Sequence, residues 1–278
     1  MTIALAINVG DSLVLASDSA TTQRAVLPSG QTSTINVWNS ANKIFNLRKA
    51  WAIGAMTWGQ AEIGGRSIAT LAKDLRSRLS GQSEDHADWT LDPSSITLSD
   101  VADRARSFFY DEHFSKKPEG TLGLLIGGYS ANQQAAEWYI VEMDKTACHG
   151  PNEALPAGAA GLVWRGQPEA IARLASGLSL DLGRALQNLQ VPANQVDAYV
   201  DAIKRQVERP MAWAGMPIGE VIDLAEFLVD ATIKFVRFTP GDASVGGPIE
   251  IAALTKHEGF KWIKRKHHFS TDLNPSGG

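Results

Sequence analysis

The sequence predicts an α+β fold, a four-layer α/β/β/α sandwich of two antiparallel sheets. Three observations carry this expectation. Apolar runs arrive in pairs separated by turn residues, and several are apolar at every position, as strands buried on both faces are. Helical periodicity comes in blocks between strand pairs, without the regular βαβ alternation of a doubly wound sheet. The chain has 278 residues, 44% hydrophobic and 20% charged, which is globular composition and enough for one large domain.

The elements follow in order. Residues 2–9 and 13–17 are apolar runs joined by Gly10-Asp11, a hairpin buried on both faces. Residues 23–31, with Pro28 and Gly30, read as a loop. Residues 32–38, 43–47 and 51–57 read as three further strands. From 59 to 79 the period changes: Ile68, Leu71, Leu75 and Leu79 form an apolar stripe, with Lys73, Asp74, Arg76 and Arg78 between them, so this is an amphipathic helix. The polar stretch 82–93 is a surface loop. Ser99 is the expected N-cap of a second helix reaching His113, with Asp100 and Asp103 favouring its N-terminal dipole. Residues 121–130 and 136–143 form the next strand pair, and Gly127-Gly128 marks close strand packing. Residues 167–207 read as helical, broken at Pro192, and 219–238 as one more helix. Residues 247–254 and 259–263 close the fold as a strand pair. The expected organisation is one domain over 1–263, with an extended helical region at about 167–216, and a basic, flexible tail over 264–278.

Composition narrows function. Lys plus Arg total 26 and Asp plus Glu total 30, a net charge of −4 that disfavours nucleic-acid binding. The single cysteine, Cys148, excludes an intrachain disulfide and a Cys-rich zinc site, and implies a reducing, cytoplasmic setting. The six histidines show no metal-ligand spacing, so no metal and no other cofactor is expected. No apolar run reaches the roughly 18 residues of a membrane span, and the first residues lack the basic flank of a secretory signal.

Chemistry is expected at the start of the chain. Met1 precedes a small residue, Thr2, a context in which the methionine is normally trimmed. A free N-terminal threonine carries a hydroxyl beside an α-amine of pKa about 7.7–8.0, and that amine is able to act as general base for its own hydroxyl. Asp18 ends an apolar strand and Lys43 opens another; buried together they would pair, and a cation beside Thr2 would depress the pKa of amine and hydroxyl.

These residues resemble a known family. The opening Thr2-Ile-Ala-Leu-Ala-Ile, then Gly10-Asp11 and Leu13-Val-Leu-Ala-Ser-Asp18-Ser-Ala-Thr-Thr22, resembles the start of a proteasome β-type subunit. Lys43-Ile-Phe-Asn-Leu47, Ile53-Gly-Ala-Met-Thr57, residues 122–130 and Asp242-Ala-Ser-Val-Gly246-Gly247 match later blocks in order. The likeness is nearest to the bacterial homologues: the Anbu group, to which Gly246-Gly247-Pro248-Ile249 is similar, HslV-type peptidases and the β-proteobacterial proteasome homologue. It implies an N-terminal-nucleophile hydrolase fold and a threonine peptidase cutting peptides or unfolded proteins. Thr2 would be the nucleophile after removal of Met1, autocatalytically or by an aminopeptidase. Asp18 and Lys43 would be the supporting ion pair, Asp242 would orient the amine, and the Ala55 amide would form the oxyanion hole. Thr22, Ile53 and Thr57 would bind substrate. Gly158-Ala159-Ala160-Gly161 stands where the family often has Gly-Ser-Gly, and Val245 replaces a frequent serine, so polar groups around the amine look depleted. The resemblance further implies a self-compartmentalised homo-oligomer, as a ring, double ring or spiral, with an unidentified ATPase unfoldase as a further partner. Two alternatives stand beside this reading: a weak or inactive assembly subunit of the same fold, and an amidohydrolase acting on a small amide.

Overall fold

A computed structural model describes residues 2–26, 32–241 and 244–266. In chain order the strands begin with β1 (Ile3–Asn8), β2 (Ser12–Ser17), β3 (Thr21–Val26), β4 (Thr32–Trp38), β5 (Ile44–Asn46) and β6 (Ile53–Gly59). A two-residue hairpin follows, β7 (Glu62–Ile63) and β8 (Arg66–Ser67), and leads into α1 (Ile68–Leu79). Helix α2 (Leu98–Arg106) continues as a π-helical turn over Ser107–His113. Then come β9 (Thr121–Gly128), β10 (Glu137–Asp144), β11 (Cys148–Glu153) and β12 (Gly161–Gly166). The helical region holds α3 (Glu169–Ile171) with a π turn to Ser176, α4 (Leu182–Asn188) and α5 (Ala193–Val207). Helix α6 (Ile218–Phe238), β13 (Glu250–Thr255) and β14 (Gly259–Lys264) complete the described chain.

The fold is mixed α+β, and every strand pair is antiparallel. One five-stranded sheet has the order β12-β1-β2-β13-β14 and the other β11-β10-β9-β6-β5. Strand alternation explains how each sheet uses both faces. In β1, Ile3, Leu5 and Ile7 join Val221, Ala225, Leu228 and Val229 of α6 in one apolar cluster. Ala4 and Ala6, pointing the other way, join Met56, Leu125, Trp138 and Ile140 of the second sheet. The opposite face of that second sheet, with Ile53, Ala55, Leu124 and Ile126, packs on Leu71 and Leu75 of α1 and Val101 and Ala105 of α2. Every residue of β1 and β2 is buried, as the hairpin reading required. Gly127 is a true close-packing position: a Cβ there would lie 2.3 Å from Leu13 Cδ2.

Several expectations shift. Residues 23–26 belong to a strand, β3, that pairs with β4 from Thr21 to Val26; the remainder of the expected loop, 27–31, lies outside the described residues. The first amphipathic helix starts at Ile68, where the Ser67 hydroxyl accepts from Thr70 N at 3.1 Å, because β6 and the β7–β8 hairpin occupy 59–67. Thr97, not Ser99, caps α2. Strands β11 and β12 were unexpected; they lie at sheet edges, half exposed, so they lack a continuous apolar run. The helical region is broken after Ser176 and after Asn188 as well as at Pro192. The tail begins later than 264: Lys264 is still in β14, and Lys266 is a packed residue. The rest of the expected tail, 267–278, lies outside the described residues. No helix among the described residues is long and apolar enough to cross a membrane.

Candidate active site

The end of β2 delivers Asp18 into the protein with no exposed surface. Five donors converge on its carboxylate. Oδ1 accepts from the Thr2 hydroxyl at 2.7 Å, from Ile3 N at 3.0 Å and from Lys43 Nζ at 2.5 Å. Oδ2 accepts from the amides of Ala20 and Gly246, each at 3.0 Å. A buried carboxylate needs such replacements for lost water, and here three come from the backbone. Thr2 is 3% exposed and Lys43 7%. Burial weakens the hold of Lys43 on its proton, pulling it below the ordinary lysine value of 10.5, while Asp18 beside it pulls the other way. Thr2 is fixed from its other side as well, since its carbonyl accepts from Gln167 N at 2.8 Å.

Thr2 and Lys43 open onto a cavity of about 560 Å³, lined also by Ala20, Thr22, Trp38, Thr57, Trp58 and Gly59. Two of the expected substrate-binding residues, Thr22 and Thr57, therefore face the same space as Thr2. The Thr22 hydroxyl is buried and has no hydrogen-bond partner among the described residues. Trp58 owes its place to Gly123, where a Cβ would sit 2.0 Å from the indole Cε2.

Ile53 and Ala55 are not brought to this cavity. Both are buried in the cluster under α1 and α2. Ala55 lies opposite Phe45 inside the β5–β6 ladder. The pairs on either side of it, Thr57 N to Lys43 O at 2.9 Å and Leu47 N to Ile53 O at 3.1 Å, put Ala55 in hydrogen-bonding register, so its amide is spent in the sheet. The error was one of register: β6 reaches the cavity only at its far end. Asp242 lies outside the described residues.

The Gly158–Gly161 segment is also not where its motif placed it. Asn8 pairs with Gly161 and Ile3 with Gly166, so Ala159 sits at the opposite end of β1 from Thr2, its carbonyl accepting from Asn8 Nδ2. Polar groups near the chain start come instead from Gln167, whose side chain donates to Ser244 Oγ at 3.3 Å. Val245 belongs to the apolar cluster under α6. Sequence reading missed Gln167, Ser244 and the Gly246 amide, and only the Gly-Gly string pointed near the last. Among the described residues no group of three or more His, Cys, Asp or Glu is placed to hold a metal ion.

No protein-family model matches the chain, and no curated protein shows significant sequence similarity to it.

Proposed function

We propose that the chain is a threonine peptidase of the proteasome β-type, N-terminal-nucleophile class, active once Met1 is removed. The observation that carries this reading is one buried oxygen, Asp18 Oδ1, holding the Thr2 hydroxyl at 2.7 Å and the Lys43 ammonium at 2.5 Å on the floor of the cavity. The two packed sheets with helices on their outer faces are read as the four-layer sandwich of that class.

In this mechanism the freed Thr2 amine takes the hydroxyl proton as Oγ attacks the peptide carbonyl. The Lys43 charge stabilises the developing alkoxide. The proton then passes to the leaving amine, leaving an ester on Thr2, which water hydrolyses with the amine again as base. Gly59 is assigned as the backbone donor to the oxyanion. It lines the cavity, and alternation along β6 puts its N–H on the edge used by Thr57 but past the first residue of β5, where no ladder partner stands. The cavity wall offers strand backbone from β3 and the end of β6, which suits an extended peptide better than a small amide. Large apolar residues exposed in and beside the helical segments, among them Leu189 and Trp213 in connections and Phe227 and Phe238 on α6, suit contacts between copies in a homo-oligomer in the cytoplasm.

The test is intact mass and N-terminal sequencing of the purified chain, with and without a threonine-directed peptide epoxyketone. The expected result is loss of Met1 and one adduct per chain on Thr2, absent in Thr2→Ala. An adduct that persists in Thr2→Ala, or a chain that keeps Met1 and hydrolyses peptides, refutes the proposal.

A further inference from the structure

Lys266 follows β14 in a run of basic residues, Lys264-Arg265-Lys266-His267-His268, that reads as solvated. Its side chain is nevertheless only 8% exposed. Nζ donates to Ser19 Oγ at 2.9 Å and to Ala41 O at 2.8 Å, and lies 2.7 Å from Glu250 Oε2. Glu250 is 1% exposed, and its Oε2 makes no well-directed hydrogen bond, so its compensation is the charge of Lys266.

The partners of this ammonium are the segments that build the Thr2 site. Ser19 follows Asp18, and Ala41 stands two residues before Lys43. Ser19 is clasped on every side: its hydroxyl donates to Pro248 O at 2.6 Å, its N–H to Gly246 O at 2.9 Å, and its carbonyl accepts from Ala41 N at 2.9 Å. Glu250 pairs with Ser17 across the β2–β13 ladder. Lys266 thus joins the Asp18 turn, the approach to Lys43 and the start of β13 through one group. Surface solvation does not require this geometry, because an exposed lysine needs none of the three contacts.

We propose that Lys266, charge-balanced by Glu250, is a positioning residue for the reaction at Thr2: it locks the Asp18–Ser19 turn against the Ala41–Lys43 segment so that carboxylate, ammonium and hydroxyl meet. The inference rests on Thr2 being the nucleophile. Lys266 makes no contact with Thr2 and does not itself line the cavity; it acts through Ser19 and through the cavity-lining Ala41.

The experiment compares full-length wild type, Lys266→Met, the double variant Lys266→Met/Glu250→Gln, and Lys264→Ala. It measures peptide hydrolysis, the epoxyketone labelling rate and thermal unfolding. Lys266→Met alone strands a buried carboxylate and is expected to lose stability. The double variant removes both charges and is expected to fold. Its kcat and labelling rate should fall on the order of 100-fold, as for a displacement of about 1 Å at the reacting groups, with KM unchanged. Lys264→Ala, which breaks only an exposed pair with Glu226, should match wild type. A folded double variant that labels at the wild-type rate overturns the positioning role while leaving the threonine reading intact. A wild-type chain that does not label at Thr2 overturns that reading, and this one with it.

Discussion

Lys43→Met isolates the electrostatic contribution of the cation. Two donors on one oxygen at 2.7 and 2.5 Å stand apart by about 4 Å at ordinary hydrogen-bond angles, so the ammonium lies that close to Thr2 Oγ1. A unit charge acting on a developing alkoxide over about 4 Å, at an effective dielectric near 20, is worth about 4 kcal/mol. That corresponds to roughly a thousandfold in rate. Stability responds differently. Asp18 keeps the Thr2 hydroxyl and the amides of Ile3, Ala20 and Gly246, so its carboxylate is not left bare. The loss should therefore stay below the roughly 3–5 kcal/mol of an orphaned buried charge. The assay is the second-order labelling rate of Thr2 by the peptide epoxyketone, followed by intact mass, beside urea unfolding of the same preparation. A folded Lys43→Met that labels within threefold of wild type refutes the claim that the cation activates the hydroxyl.

Two further outcomes are expected. Because burial lowers the proton affinity of Lys43, the rate should fall on the alkaline side at a pH below 10.5, as its charge is lost. Between that lowered value and 10.5 the unfolded chain binds the extra proton, so Lys43, and Lys266 which burial lowers likewise, make stability rise with pH while activity falls; a rate loss that tracks unfolding contradicts this. Gly123→Ala should force the Trp58 ring off the cavity wall, at an overpacking cost of about 1–3 kcal/mol. Peptide KM should rise, while labelling by a small electrophile stays near wild type; an unchanged peptide KM shows that Trp58 does not shape the substrate cavity.

The parts of the fold legible in sequence were those in which local pattern and burial agree. β1 and β2 are apolar at nearly every position because both their faces are packed, and α1 shows its stripe because one face is wet. β3, β11 and β12 carry polar or mixed residues and form through ladder partners that no local window reveals. The site divides in the same way. Thr2, Asp18 and Lys43 lie at strand ends, where a polar residue after or before an apolar run is conspicuous, and the structure joins them on one oxygen. Which amides the ladder leaves unpaired is a matter of register, so the motif anchored on Ile53 led to Ala55 inside the ladder, while Gly59 at the strand end is the residue that lines the cavity. Glu250 begins an ordinary strand and Lys266 sits in a basic run, so neither is conspicuous in sequence.

Electrostatics shows why these four charges belong together. Asp18, Lys43, Glu250 and Lys266 sum to zero, and all are nearly enclosed. Buried ion pairs seldom stabilise a fold more than apolar side chains of the same size do, since desolvation offsets most of the attraction. Two such pairs beside an otherwise apolar sheet are therefore poorly explained by stability. A single pair, Asp18–Lys43, would also place Lys43 under the pull of whatever lies behind it; the second pair presents it with an adjacent charge of each sign, and both bear on Lys43 in opposite directions. Being opposite in sign, the two offset each other in part at Lys43. On this argument the two pairs are kept for placement: Lys266 ties Ser19 to Ala41, and so holds Asp18 and Lys43 beside Thr2, where a reacting carbonyl would enter.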